Sequence, residues 1–476
     1  MDILLSIVKS LSPEEVTLLG KKFSKFPVKD KLVNTIIKKQ SCDLEQLIYL
    51  MDYEENRQAF YTLKHRVVED IIDLKLQIKK NKVVDVREKI EKLRLLLYSQ
   101  NPDLFIKFLD KVRKQAEDLE LVKGMREIYF CYWLTGYCEF KKRNEFEQKI
   151  DVYEKKEVFQ YRLERLFYLT VFESPDLFYY SPQWKIDSVT SIIKEMGELH
   201  NRINTKVSEF LYLSAKVSFE INCVNGKGTV TDSLEEDVNN LLSIYIHHSI
   251  PYFYPDCKFA IQTLMNKFYY LKGNKEAFKN SLLQLKNDVK SIKGYMTYEN
   301  VYFYFLFIYS YHLKSNKQYT EIAPFLEKHL DEELLSKCSN RYKYYFNYLK
   351  AVASFYRKDF SDAHAYLLNA RNYRTYIDKS GNWICMENSA LTVLIQLIND
   401  AKAQFDYEVS LYRRLMKRID YQEEDWKNYL KFTQYLHKDK KDKAEEYKLK
   451  FQSNSAKNKI MNLIDLDFVL NSELSL

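Results

Sequence analysis

The chain has 476 residues, only nine Gly and eight Pro among them, and a net charge of +8. Because sheets, tight turns and phosphate loops depend on Gly and Pro, this composition favours long helices joined by short polar turns. The hydrophobic content of 46%, with 39 Tyr and 29 Phe, excludes a disordered chain, and the modest charge makes a nucleic-acid partner possible without favouring it.

The first hundred residues predict a separate helical domain. The stretch MDILLSIVKS carries Asp2 and Lys9 where a signal peptide would need an unbroken apolar run, so we expect a cytoplasmic protein. The letters SLSPEE predict a helix start, with Ser12 as the cap and Glu15 three residues later. Further along, apolar residues recur at steps of three and four, as an amphipathic helix requires: Phe60, Leu63, Val67, Ile71, Leu74 and Ile78.

Residues 42–73 predict a helix-turn-helix-like segment, with two helices joined by the turn DYEEN. Three basic residues of this segment would face phosphates if it bound nucleic acid: Arg57, Lys64 and Arg66. Such a helix pair is also how any small helical domain begins. The stretches SLSPEEVTLLGKKFSKFPVKDKLVNTII and DLEQLIYLMDYEENRQAFYTLKHRVVEDIIDLKL together resemble the N-terminal region of an uncharacterised bacterial family of helical-repeat proteins, common in Bacteroidetes, and that resemblance implies no known activity.

From residue 101 to residue 451 the pattern predicts helical hairpins that repeat every 35 to 40 residues, roughly. The clearest unit, YYFNYLKAVASFYRKDFSDAHAYLLNARN at residues 344–372, has an aromatic helix, a polar turn and a second helix. Its second half resembles a tetratricopeptide repeat, in which small or apolar residues stand at the places of Ala363, Leu367 and Ala370. The unit departs from that family at three positions near which the family favours Leu and two Gly: Lys350, Ala351 and Lys358. The resemblance implies a divergent solenoid whose concave groove binds a peptide or a partner helix.

Two further copies precede this unit. One has its turn at Gly273 and Asn274, and the other, VYFYFLFIYSYHLKSNKQYTEIAPFLEKHL, has Tyr319, Ile322 and Leu326 at the matching places. The second copy opens with an apolar run that could be a membrane span, a strand or a buried helix. Only 14 residues lie between its flanking charges, fewer than the roughly 20 that cross a bilayer, and its place in a repeat predicts a helix buried between neighbouring repeats.

Aromatic residues on the first helices of two adjacent repeats are the candidate partner-binding site. They fall at i, i+3 and i+7 in each helix: Tyr304, Phe307 and Tyr311 in one repeat, then Tyr345, Tyr348 and Val352 in the next. The tetratricopeptide resemblance would turn this face toward the groove, and tyrosine supplies contact area and a hydroxyl group at low entropy cost. The alternative is that these residues fill the core.

No motif for catalysis, metal binding or cofactor binding stands out. The seven Cys form no CxxC pair, the eight His form no HExxH, and there is no GxSxG. Gly226-Lys227-Gly228-Thr229 lacks the full frame of a phosphate loop. We therefore expect a protein that is not an enzyme and that holds no cofactor.

Residues 452–476 predict a polar linker followed by an apolar tail. Five of its side chains are too apolar to remain in water cheaply: Ile460, Leu463, Ile464, Phe468 and Leu470. Two arrangements would bury them. The tail could form a final helix that caps the solenoid, or it could dock in the groove as a mimic of the partner. In the second case Asp465 and Asp467 would lie near the basic run of residues 431–460, which has nine Lys against four acids.

These patterns predict an all-α protein with a helical domain at residues 1–100 and a solenoid of tetratricopeptide-like hairpins at residues 101–451. The function we expect is that of a non-enzymatic scaffold or adaptor that binds a peptide or partner helix in the solenoid groove. The alternative is a nucleic-acid-binding regulator, with an N-terminal helix-turn-helix and a peptide-sensing repeat domain. Neither the partner nor the oligomeric state follows from the sequence.

Overall fold

In a computed structural model the chain is all-α, which confirms the predicted fold class, since every regular element of the described residues is helical. The structure describes residues 4–5, 8, 11, 13–39, 43–78, 82–97, 102–135, 140–173, 183–224, 230–248, 250–254, 257–288, 298–330, 336, 338–376, 382–418, 425–457 and 462–471. The chain divides into two compact units, Met1–Ala116 and Glu117–Leu476.

The first unit contains an apolar core that is formed by residues between Leu4 and Leu74. The helix bounds are α1 Pro13–Phe23, α2 Pro27–Lys38, α3 Leu44–Leu50, α4 Arg57–Ile78, α5 Lys82–Leu97 and α6 Pro102–Asp118, whose last two residues belong to the second unit. The predicted amphipathic pattern of α4 is confirmed for four of its six residues, which are buried: Phe60, Val67, Ile71 and Leu74. Leu63 is partly exposed, and the side chain of Ile78 lies outside the described residues. Helix α1 begins at Pro13, next to the predicted cap Ser12, which lies outside the described residues.

The second unit begins with helices that share an apolar core. Their bounds are α7 Val122–Thr135, α8 Phe140–Glu173, α9 Gln183–Ile203, α10 Lys206–Phe219, α11 Asp232–His247 and α12 Ile250–Phe253, with a π-helical turn at Glu220–Val224 after α10. Thr205 and Thr231 cap α10 and α11, since each side chain accepts a hydrogen bond from a backbone N–H of the first turn. Helices that are consecutive in sequence pack against each other here.

Among the described residues five consecutive hairpins follow, which confirms the predicted helical repeats. They are α13 Cys257–Lys272 with α14 Lys275–Asp288, α15 Tyr298–Ser315 with α16 Tyr319–His329, α17 Asn340–Tyr356 with α18 Phe360–Arg371, α19 Asn382–Ile398 with α20 Lys402–Arg418, and α21 Asp425–His437 with α22 Lys441–Lys457. A short helix, α23 Leu466–Asn471, comes after them. The stretch from residue 452, predicted as a polar linker, is thus helical as far as Lys457.

The same turn closes all five hairpins, about 40 residues apart. One residue of each turn has a left-handed backbone, with φ between 51° and 75°: Gly273, Lys317, Lys358, Asp400 and Asp439. In the third hairpin the N–H of Lys358 donates to the Phe355 carbonyl at 3.0 Å, and the N–H of Asp359 donates to the Ser354 carbonyl at 2.9 Å; the other four turns repeat this pattern. These bonds satisfy the last carbonyls of the first helix, as glycine C-caps do. The repeat is therefore visible in turn geometry, although glycine occupies only one of the five positions.

Helix α15 contains the apolar run of residues 301–314, and the prediction of a buried helix is confirmed. Residues 301–308 are all at most 8% exposed. The helix packs against α13, α14, α16 and α17, so neighbours surround it on most sides, and this explains a surface that is apolar nearly all round. Among the described residues, no helix combines the length and the apolar character that a bilayer crossing requires.

Helices α17 and α18 show why the repeat uses small residues. Ala363, Leu367 and Ala370 are fully buried in the core of the repeats, as the sequence predicts. Alanine keeps the side chains short at this helix contact, and Leu367 fills the space that remains. Asp359 caps α18, since its side chain accepts the N–H of Asp362 at 3.2 Å.

Candidate functional site

The predicted partner-binding aromatic residues belong to or pack against the core of the repeats. Four of them are at most 7% exposed: Tyr304, Phe307, Tyr345 and Tyr348. Tyr311 is partly exposed, and its hydroxyl group shares a hydrogen bond of 2.7 Å with that of Tyr270. Burial of this extent favours the alternative that these residues fill the core, and direct contact with a partner stays a prediction.

The predicted nucleic-acid contacts lie on α4, which follows α3 after a turn, as the sequence indicates. Arg57 forms two hydrogen bonds with the Glu45 carboxylate, at 3.1 and 2.8 Å, so part of its charge is already balanced. The Lys64 ammonium group lies 5.8 Å from the centre of the Tyr61 ring, and Arg66 is exposed. Contact of these residues with nucleic acid stays a prediction.

A polar site forms where the C-terminal segment, residues 462–468, lies against the repeats. Four side chains hydrogen-bond to this segment, and a fifth, Tyr348, bonds to one of the four. We call these five side chains from four helices the tail-binding site: Lys314 of α15, Tyr319 of α16, Tyr348 and Tyr356 of α17, and Glu387 of α19. Helices α15, α17 and α19 are the first helices of three consecutive repeats. We call this surface the first-helix face, to which Tyr319 at the start of the second helix α16 also contributes. Its direct contacts with the segment join residues that are 76 to 148 apart in sequence.

Both backbone groups of Leu463 are bound by side chains of the tail-binding site. The Tyr356 hydroxyl donates to the Leu463 carbonyl at 2.7 Å, and the Leu463 N–H donates to Glu387 Oε2 at 3.5 Å. The Tyr348 hydroxyl donates to the same Oε2 atom and holds the carboxylate in place. Because these contacts use main-chain atoms, they do not depend on the side chain at residue 463.

Side-chain contacts fix the register of the segment. The Lys314 ammonium group donates to Asn462 Oδ1 at 2.9 Å, and the Tyr319 hydroxyl donates to Asp465 Oδ2 at 2.8 Å. The other oxygen of Asp465 accepts the N–H groups of Asp467 and Phe468, at 2.9 and 3.3 Å. Asp465 therefore caps the start of α23 while it contacts the repeats.

Apolar contacts accompany the polar ones. Three side chains of the segment are at most 3% exposed: Leu463, Ile464 and Leu466. The Phe468 ring centre lies 5.1 Å from that of Tyr319 and 4.9 Å from that of Tyr356. Each such buried side chain contributes about 1.5 to 3 kcal/mol. Ile460 and the side chain of Leu470, also predicted to need burial, lie outside the described residues.

Helix α22 contacts the other side of the segment. The Lys448 ammonium group lies 3.2 Å from the Asp467 carboxylate, and the Gln452 amide donates to the same carboxylate at 3.1 Å. The predicted closeness of the acidic segment to the basic run is thus confirmed for Asp467. The segment touches the last hairpin as a cap would, and it also docks on the earlier repeats as a bound peptide would.

Burial shifts the pKa values of the two charged groups in the tail-binding site toward each other. Glu387 is 1% exposed, and the loss of water raises its pKa to about 7, although Tyr348, Lys314 and the Leu463 N–H oppose that rise. Desolvation of the Lys314 ammonium group lowers its pKa to about 8, against the attraction of Asp465 and Glu387. Polar groups held away from water in this way need partners, and the segment supplies them.

Of the tail-binding site, the sequence pattern singled out Tyr348 as a partner-binding residue but none of the other four. The one local signal for Glu387 is a lone acid within the apolar helix NWICMENSALTVLIQLI. Lys314 ends an apolar run and reads as a helix terminus. The convergence of these side chains depends on contacts between repeats, which no single stretch of sequence contains.

No protein-family model, curated protein or solved structure matches this chain. Within the described part of the chain, no group of three or more His, Cys, Asp or Glu side chains is placed to hold a metal ion. The glycine-containing stretch at Gly226 to Thr229 lies outside the described residues.

Proposed function

We propose that this protein is a non-enzymatic interaction scaffold, which binds a short segment of a partner protein on the first-helix face of its repeats. One observation carries the proposal: the chain binds its own residues 462–468 on that face, through side chains that hydrogen-bond to backbone and side-chain groups alike. A surface that binds a short segment in this way has the chemistry of a peptide-binding site.

The tetratricopeptide resemblance supports the same surface. The resemblance implies that the first helices of the repeats line the groove that binds the partner. Tyr348 and Tyr356 of α17 and Glu387 of α19 belong to such first helices. The partner would thus contact the polar groups of the tail-binding site and not the buried aromatic faces around Tyr304 and Tyr345. The class of function is the predicted one, but other residues perform it.

Affinity capture from the source cells tests the proposal, with the site opened first. The Asp465→Lys change removes the Tyr319 contact and places a cation near Lys314, so it should release the segment. We expect proteins that are enriched on the Asp465→Lys bait relative to the intact chain. In that opened background, Tyr356→Phe should lose them, because the backbone carbonyl loses its donor.

The matched control is Tyr407→Phe in the same opened background, since Tyr407 is 61% exposed and lies outside the site. This bait should keep every protein that Asp465→Lys enriches. A set of captured proteins that is identical for all four baits would show that the first-helix face does not bind the partners, and would remove the proposed function.

A further inference from the structure

The contacts of residues 462–468 in the tail-binding site indicate which kind of segment the site prefers. It presents an ammonium group to Asn462 and a phenol hydroxyl to Asp465, and both are donors that need acceptor side chains. Between these two positions, Leu463 and Ile464 are buried at 1% and 3% exposure, so apolar residues fit there. An aromatic ring is accepted three residues after the carboxylate, where Phe468 lies against Tyr319 and Tyr356.

The polar character of the site favours a ligand that binds reversibly and can be replaced by another. A contact that only closes the fold is commonly at least as stable when apolar residues replace buried charges. Here the buried Glu387 and the partly buried Lys314 instead form hydrogen bonds with the segment, and these bonds favour one register of one kind of segment. Such groups contribute selectivity, which a permanent structural contact does not require.

We infer that the partner's segment carries the same chemistry as residues 462–468, an acceptor side chain, two apolar residues, an aspartate and an aromatic residue three positions later, and that the chain's own segment competes with it. This inference rests on the proposed function and adds the ligand's chemistry and a built-in competitor. The segment is well suited to compete, because it is tethered to α22 and therefore present at high effective concentration.

A fluorescent peptide of residues 462–472, NLIDLDFVLNS, is the probe for this inference. It is titrated by fluorescence anisotropy against the intact chain and against the full-length Asp465→Lys chain, whose own segment is weakened. We expect the Asp465→Lys chain to bind the probe at least about tenfold more tightly than the intact chain, the effect of losing one charge-assisted hydrogen bond in the competitor.

Two controls establish that the probe occupies the tail-binding site. A probe that carries the Asp465→Lys change should bind the opened chain at least about tenfold more weakly, because it lacks the acceptor for Tyr319. In the opened chain, Tyr319→Phe should also weaken the unaltered probe, whereas Tyr407→Phe should not. Equal binding of both probes would overturn the inference, since the affinity of the site would then not depend on the aspartate.

Folding is checked by circular dichroism and thermal melting for each chain. An Asp465→Lys chain that is folded but ignores the probe overturns the inference. If that chain does not fold, Phe468→Ala is the second way to weaken the segment; failure of both chains to fold also overturns the inference, because a segment that the fold requires cannot be a displaceable competitor.

The outcomes for the two proposals are separable. An opened chain that ignores the probe, yet loses its captured proteins with Tyr356→Phe, keeps the proposed function and removes the inferred ligand chemistry. An opened chain that binds the probe, while capture of cellular proteins is independent of the site, removes the proposed function instead.

Discussion

The hairpin of α17 and α18 and the tail-binding site lie in the same core, yet they are assembled by opposite means. The hairpin buries Ala363, Leu367 and Ala370, which follow one another at helical spacing in a single stretch. The tail-binding site gathers polar side chains from four helices around a segment up to 148 residues away. The difference teaches that the apolar framework of the repeats is local in sequence, whereas the polar site that we assign to function is assembled only when three consecutive repeats and the C-terminal segment pack together.

The largest expected effect on stability comes from changing four tyrosines of the predicted binding face, all in the apolar framework, to alanine. Tyr304, Tyr311, Tyr345 and Tyr348 changed together should abolish folding, because large buried aromatics cost about 3 to 5 kcal/mol each and a domain has only about 5 to 15 kcal/mol of stability. Thermal melting followed by circular dichroism measures the loss.

The matched control changes four exposed tyrosines to alanine: Tyr49, Tyr61, Tyr161 and Tyr407. That variant should melt within a few degrees of the intact chain. A normal melting temperature for the first variant, with capture of partners abolished, would show that its tyrosines line the groove after all.

Two neighbouring leucines of α18 test which face of this helix is buried in the apolar framework. Leu367 is fully buried and Leu368 is 43% exposed, so the same Leu→Ala change samples two environments one residue apart. We expect Leu367→Ala to cost about 2 to 5 kcal/mol and Leu368→Ala about 0.5 kcal/mol or less. Urea unfolding midpoints give the two values, and similar midpoints would mean that the predicted helix face is wrong.

Much of this framework could be predicted from the sequence, and the reasons are specific. The runs around Val301 and Tyr344 show helical spacing and length, and Ala363 and Ala370 mark a close helix contact. The turns were harder to recognise, since only Gly273 signals the left-handed backbone that Lys317, Lys358, Asp400 and Asp439 also adopt. The polar site could not be predicted, because Lys314, Tyr356 and Glu387 are separated by whole repeats and gain their partners only through tertiary packing.

Glu387 supplies a pH-dependent test of the polar side. Burial raises the pKa of Glu387 from 4.5 in the unfolded chain to about 7 in the folded chain. The protonated carboxyl group therefore makes its full contribution to stability below the unfolded pKa, and this contribution is lost as the pH rises through about 7. Between about pH 5 and pH 7, the free energy of unfolding of the intact chain should fall by about 2 kcal/mol relative to that of Glu387→Gln, whose amide does not ionise.

Urea unfolding of both chains across this pH range measures the difference, and the shared background cancels the titration of groups that do not interact with Glu387. Asp406→Asn, a change of an exposed acid on α20, should track the intact chain. Parallel stability curves for the intact chain and Glu387→Gln would contradict the placement of a buried carboxyl group in the site.

Tyr356→Phe gives the smallest expected effect. Removal of the hydroxyl leaves the Leu463 carbonyl without its donor in a buried environment, which should cost about 1 to 3 kcal/mol. The exposed counterpart, Tyr407→Phe, should change stability by about 0.5 kcal/mol or less. A cost for Tyr356→Phe no larger than that of the control would mean that this hydrogen bond contributes nothing to holding the segment.

Hydrogen exchange of residues 462–468 tests most directly whether the repeats bind the C-terminal segment. In the intact chain the N–H groups of Leu463, Asp467 and Phe468 donate to carboxylate oxygens, so we expect these amides to exchange far more slowly than those of the free peptide NLIDLDFVLNS. Asp465→Lys should return them to the rate of the free peptide while the amides of α17 stay protected. Exchange in the intact chain as fast as in the free peptide would contradict the account, because the segment would then not occupy the tail-binding site.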